Sequence, residues 1–326
     1  IAERNVISGA GHYGEEGFPT GEQVSIVDAD DTIVEGNYIG TTIDGMQAYS
    51  PQIGPLGVEV RDARGTTIRN NLIAGLRVVG VNHYNGQIFG EAIHVGAVNA
   101  DSNNTLIQGN TIGLAADGVT PIVTRSGIVV SPLTSTRHAF NTRIASNHIA
   151  SVETTGVFVA GQENGVTMTV NSIHDCGLLG IDLGTAAAAN GPTPNDPGDP
   201  DTGGNGLQNF PVIASATAST ATGTLDSLPG ESFTLEFFAS PACDPTGFGE
   251  GALFAGSVGV TTDGSGHADF SAAINAPTGW VLTATTTRLS TGDSSEFSAC
   301  TGVSLSLIHI SEPTRLRRIS YAVFCL

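Results

Sequence analysis

The segment Gly36-Asn37-Tyr38-Ile39-Gly40 returns as Gly109-Asn110-Thr111-Ile112-Gly113, each followed within a few residues by an Asp-Gly pair, Asp44-Gly45 and Asp117-Gly118. Shorter echoes of its core, Asn-x-Ile or Asn-x-Val, begin at Asn5, Asn71, Asn147 and Asn171. A chain with such internal self-similarity is bound to a repeat architecture, in which each unit buries its apolar face only against its neighbours.

Three runs recur in each repeat. The first comprises Val24 to Val27, Val58 to Val60, Ile93 to Val95, Ile128 to Val130, Val157 to Val159 and Ile181 to Leu183. The second centres on Thr-x-Ile (Thr32 to Val34, Thr66 to Ile68, Thr105 to Ile107, Thr142 to Ile144, Val166 to Val170), and the third holds the Asn-x-Ile triplets. Apolar residues alternate along these runs, which is the period of a strand and not of a helix. Strands this short are stable only when coils stack at about 4.8 Å and their inward Val and Ile residues form one column. The fold class predicted is therefore all-β: a right-handed parallel β-helix over residues 1–184, truncated at its N-terminal side because Ile1 falls inside a repeat. An inward Asn at each corner bonds the next coil's backbone, and the glycines beside it permit the bend. Extra chain after the third run, residues 40–56, 74–91 and 113–126, stacks on one side and makes the expected binding face, with Tyr49, Arg77, His83, Tyr84, Phe89 and Glu91 upon it.

Periodicity stops after Leu183. Residues 185–210, rich in Pro, Gly and Asp, read as a linker. From 211 to 303 short alternating runs return, among them Phe233 to Phe238, Leu253 to Val260, His267 to Ala273, Trp280 to Thr287 and Glu296 to Cys300, and these predict an immunoglobulin-like β-sandwich. Cys243 and Cys300 bracket its strands and are expected to form a disulfide, which suits a secreted module. Residues 304–326 contain LSLIHISEPTR and ISYAVFCL, which resemble the conceptual translation of a transposon-based sequencing adapter. They are read as a non-native, adapter-derived tail of an environmental assembly, with no fold expected.

Charge limits the partners. The chain has no Lys and a formal charge of -19, and the adapter-like tail removes one acid against three Arg, so the rest is more acidic still. Nucleic acid is excluded as a partner. No apolar run is long enough for a transmembrane segment. Polysaccharide or cell-surface glycan remains the expected partner, and the fragment is expected to be a monomer.

The stacked GNxIG and Asn-x-Ile coils resemble the repeats of the pectate-lyase-like superfamily. The succession of coils, Gly180-Ile-Asp-Leu-Gly184, the Asn-Asp-Pro-Gly-Asp linker, Leu207-Gln-Asn-Phe-Pro-Val212 and a sandwich containing Ala242-Cys-Asp244 and Glu296-Phe-Ser-Ala-Cys300 resembles large bacterial extracellular proteins in which a β-helix precedes Ig-like modules. That resemblance implies an extracellular or cell-surface structural or adhesion protein with a β-helix stalk that binds carbohydrate. It leaves open a polysaccharide lyase or glycoside hydrolase, since superfamily enzymes place their chemistry on the outer face of the first sheet. There the alternation presents Glu59, His94, Val129, Phe158 and Asp182 as an exposed row. Glu59 and His94, one coil apart, are the candidate catalytic pair, the carboxylate raising the imidazole pKa. Arg61, Asp62, His83, Tyr84 and Glu91 are the candidate substrate-binding residues. Asp196, Asp199, Asp201 and Asn205 of the linker supply oxygens suited to calcium.

Overall fold

The computed structural model describes residues 4–9, 12–13, 19–49, 56–77, 80–81, 88–185 and 191–304. His83, Tyr84 and all of the adapter-like tail but Ser304 lie outside the described residues. Ser304 itself ends the last strand.

Three parallel sheets run the length of the repeat region. The first comprises Glu22–Val27, Leu56–Arg61, Glu91–Gly96, Ser126–Val130, Val157–Val159 and Ile181–Leu183. The second is built from Ile33–Glu35, Thr67–Arg69, Leu106–Gln108, Arg143–Ala145 and Thr167–Thr169, and the third from Val6–Ile7, Tyr38–Ile39, Leu72–Ile73, Thr111–Ile112, His148–Val152 and Ser172–Cys176. Each coil contributes one strand to each sheet, so the region is a parallel β-helix. Its interior is a column of Val and Ile from all three sheets, including Val60, Ile68, Ile73, Ile93, Ile107, Ile112, Ile128, Ile144 and Ile149, all fully buried. Removing those side chains from water is what holds coils of two- to six-residue strands together.

At the corner before the third sheet stands an asparagine ladder. The Nδ2 groups of Asn5, Asn37, Asn71, Asn110 and Asn147 each donate to Oδ1 of the next Asn, at 3.0 to 3.1 Å. The backbone N–H of Asn37, Asn71, Asn110 and Asn147 shares the same acceptor. Buried corner amides thus find partners despite insertions of different length between coils. The two Gly-Asn-x-Ile-Gly repeats leave the third sheet through Gly40 and Gly113, both at positive φ and both pressed against the backbone of the next coil. They then form small hairpins pinned by Asp44 and Asp117, and the hairpins touch, Ala116 N–H donating to the Gly45 carbonyl.

In the unit expected to be an immunoglobulin-like sandwich, seven strands occur in the order Leu253–Thr261, Ser232–Ser240, Val281–Arg288, Thr301–Ser304, Val212–Thr217, Thr220–Asp226 and His267–Ala273. All pairings are antiparallel except that of Val212–Thr217 with Thr301–Ser304. The run Glu296 to Cys300 is not a strand; its side chains are drawn into the junction described next, and pairing resumes at Thr301. Cys243 and Cys300 form a disulfide.

The two regions meet directly. The last coil leaves three strand edges with unpaired N–H groups, and side chains of the second region accept them. Glu236 takes Val170 N–H (2.8 Å), Asp293 takes Gly165 (2.7 Å) and Ser294 Oγ takes Met168 (2.8 Å) on the second sheet. Glu250 takes Asp175 and Cys176 (2.6 and 2.7 Å) on the third, and Glu296 takes Leu183 (2.9 Å) on the first. Phe238 and Phe297 extend the apolar column across the joint. Residues 191–210 are bonded along the same seam: Asn195 pairs with Phe210, Asn209 reaches Asp196 and Asp226, and Asn205 bridges Val166 and Ser294.

Candidate functional site

Ser25, Glu59, His94, Val129, Phe158 and Asp182 stand in register on successive strands of the first sheet. The row is not exposed. Glu59 is 4% and His94 1% accessible, and Val129, Phe158 and Asp182 are buried as well. Two polar contacts reach it: Ser131 Oγ lies 3.1 Å from His94 Nε2, and Gly191 N–H donates to Asp182 Oδ2. Val129 and Phe158 pack with Ala160.

Glu59 accepts Ser25 Oγ (3.2 Å) and pairs with Arg61 Nη1 (3.4 Å). Burial pushes its pKa up; the Arg61 charge opposes this, while Glu22 adds to it. His94 moves opposite to the sequence expectation. Loss of water around the imidazole drives its pKa down to about 4, with a hydrogen bond at Ser131 acting the other way. Desolvation of the charged form dominates, and the nearby Arg61 charge adds to it. Glu91, at the start of the same strand, is pushed up to about 8 by burial, with Gly90 N–H and the Arg125 charge opposing. At neutral pH the site therefore holds a neutral His94 imidazole and a protonated Glu91 carboxyl, while Glu59 pairs with the Arg61 guanidinium.

The proposed binding residues divide. Arg61 is partly accessible and belongs to this cluster. Asp62 does not: its Oδ1 accepts the N–H groups of Val98, Asn99 and Ala100 at 2.7 to 3.1 Å. Burial alone would raise its pKa, but those amides hold it below the usual range, so this carboxylate secures the next coil's corner. His83 and Tyr84 are outside the described residues. Ser25, Ser131 and Arg125 were not singled out from the sequence; strand register alone identifies the first.

Asp196, Asp199 and Asp201 each bring a carboxylate oxygen within 4.8 Å of the others. Asp199 is held by Gln208, Ser227 and the Asn209 N–H. Oδ1 of Asp196 and of Asp201 is buried with no hydrogen-bond partner among the described residues. Burial, then the repulsion of Asp196 and Asp199, raises Asp201 to about 6, and burial raises Asp199 too. Hard carboxylate oxygens gathered this closely, two of them unpartnered among the described residues, fit a cation such as calcium. Asn205 is not part of this set: its Oδ1 accepts Val166 N–H and its Nδ2 donates to the Val166 and Ser294 carbonyls.

No protein-family model and no curated protein matches the chain. Among solved structures it is similar to an alginate lyase from Paenibacillus sp. str. FPU-7, with 20% identity and a TM-score of 0.28 over 52% of this chain and 55% of that one. It is also similar to tailspike protein 2 from Escherichia coli O157:H7 bacteriophage CAB120, with 9% identity and a TM-score of 0.28 over 87% of this chain and 47% of that one. The chain spans about half the length of each.

Proposed function

We propose that the protein is a secreted or surface-displayed bacterial structural or adhesion protein that binds carbohydrate, with the β-helix as its stalk. The observation that carries this reading is the joint. Buried carboxylates of the second region fasten all three sheet edges of the last coil, a continuous seam suited to a stalk that presents a lateral surface. A disulfide in the second region agrees with an oxidising compartment. Incubating the chain with a panel of immobilised neutral and charged polysaccharides tests the reading: retention on at least one glycan without product release is expected. Retention on none would overturn it.

A second reading, a polysaccharide lyase or hydrolase, is favoured by the protonation states along the first sheet. A neutral imidazole can take a proton, a protonated carboxyl can give one, and a guanidinium can neutralise an acidic sugar. In this reading His94 is the base, Glu59 or Glu91 the acid, and Arg61 the charge partner. It predicts unsaturated or reducing sugar ends from one member of the panel. His94→Gln or Glu59→Gln should then lower the rate by roughly a hundredfold or more; a detected activity indifferent to both would exclude it.

A further inference from the structure

On the joint, away from the first sheet, a cleft of about 580 Å³ opens between the end of the third sheet and the loop that follows Ser232–Ser240. Pockets of roughly 300–1,000 Å³ at the meeting of two regions are common ligand sites. Its apolar lining comes from Pro241, Leu253 and Trp280, and its acids are Asp175, Asp244 and Glu250. Among the described residues the lining includes no Arg, and its one basic side chain, His174, is engaged by Asp175 at 2.7 Å.

The walls are fixed before any ligand arrives. Cys243 is tied to Cys300, prolines flank it at 241 and 245, and Asp244 Oδ1 accepts the N–H and Oγ1 of Thr246. Glu250 holds the opposite wall through the amides of Asp175 and Cys176. Asp175, by contrast, keeps a side chain 76% accessible. An indole beside proline and leucine offers an apolar platform for the C–H face of a pyranose ring. An acidic rim with no Arg among the described residues repels a uronate and attracts an ammonium group, which the indole face also favours.

We propose that this cleft binds a glycosyl unit carrying a free amine, as in the glucosamine residues of a deacetylated polysaccharide, with Trp280 as platform and Asp175 and Asp244 as counter-charges. The ligand class rests on the carbohydrate-binding reading above; the site does not involve Glu59 or His94. Trp280 is the chain's single Trp, so its emission reports on this cleft alone. Titrating the full chain with chitosan oligosaccharides should give a saturable change in emission, and the fully N-acetylated oligosaccharides should bind roughly tenfold more weakly or worse. The double variant Asp175→Asn, Asp244→Asn should lose that preference while keeping its circular dichroism and melting temperature. Equal binding of acetylated and free-amine oligosaccharides, or a preference unchanged in the double variant, would overturn the proposal. Retention on some glycan with Trp280 emission unmoved would remove the cleft and leave the carbohydrate-binding reading standing; retention on no glycan and no emission change would remove both.

Discussion

Glu296 Oε1 accepts the Leu183 N–H at 2.9 Å, a bond between residues 113 apart in sequence that ties the last strand of the first sheet to the second region. Its Oε2 accepts Thr193 N–H, also at 2.9 Å. Burial nevertheless pushes this carboxyl up to about 8, the two amides opposing and the nearby Asp182 adding to the rise.

A carboxyl with a raised folded-state pKa binds its proton more tightly folded than unfolded. Its contribution to stability is therefore complete below about pH 4 and is lost as pH rises through about 8. Urea unfolding of the native chain and of Glu296→Gln should show the native chain losing more stability between about pH 5 and pH 8 than the variant does. Parallel pH curves for the two proteins would contradict the assignment.

The asparagine ladder predicts a large effect from a small change. Asn110→Ala removes the acceptor for both the backbone and side-chain N–H of Asn71, and the donor to the Ile68 carbonyl and Asn147. Leaving buried groups without partners costs about 1–3 kcal/mol each, so a loss of about 3–5 kcal/mol is expected in denaturant midpoints. A loss below about 1 kcal/mol would mean that water replaces the amide.

His94 should titrate unlike an ordinary histidine. Its folded-state pKa of about 4 lies below the unfolded value, so it contributes stability above about pH 6.5 that is lost as pH falls through about 4. Imidazole proton shifts followed by NMR should place its midpoint near 4 in the folded chain, and His94→Gln should remove that transition alone. A midpoint above 6 would show that the row is hydrated.

The linker acids predict a calcium-linked melting temperature. A cation favours deprotonation of Asp201, which otherwise holds its proton up to about pH 6. Added calcium should therefore raise the melting temperature more at about pH 7 than at about pH 5, and Asp201→Asn should abolish the difference. Equal melting with calcium and with a chelator at both pH values would exclude the site.

The disulfide predicts its own loss term. Cys243 and Cys300 are 57 residues apart, and closing a loop of that length constrains the unfolded chain by about 4 kcal/mol. The Cys243→Ser, Cys300→Ser double variant should lose stability on that scale in denaturant unfolding.

What was legible in the sequence is what recurs with the coil. Register placed Glu59 beside His94 and joined Asn71 to Asn110, because a one-residue slip would turn every inward Ile to the outside. The burial of His94 was not legible: alternation says which way a side chain points, not what lies over it. Nor was the role of Asp62, which reads as a strand-end acid until its three amide partners in 98–100 are seen. The duties of Asn205, Glu236, Glu250 and Glu296 escaped for a different reason. Their partners lie 39 to 113 residues away in a region with another period.

The row of carboxylates at the last coil also stops the solenoid from growing past that edge. A parallel stack ends in unpaired edges that would accept another coil, from the same chain or from a second molecule, and so propagate as a filament. Here every sheet ends on an acid from a differently folded region, at a site that a further strand would have to displace. The stack is thus closed on that side where the second region begins, and a periodic sequence acquires a defined edge there.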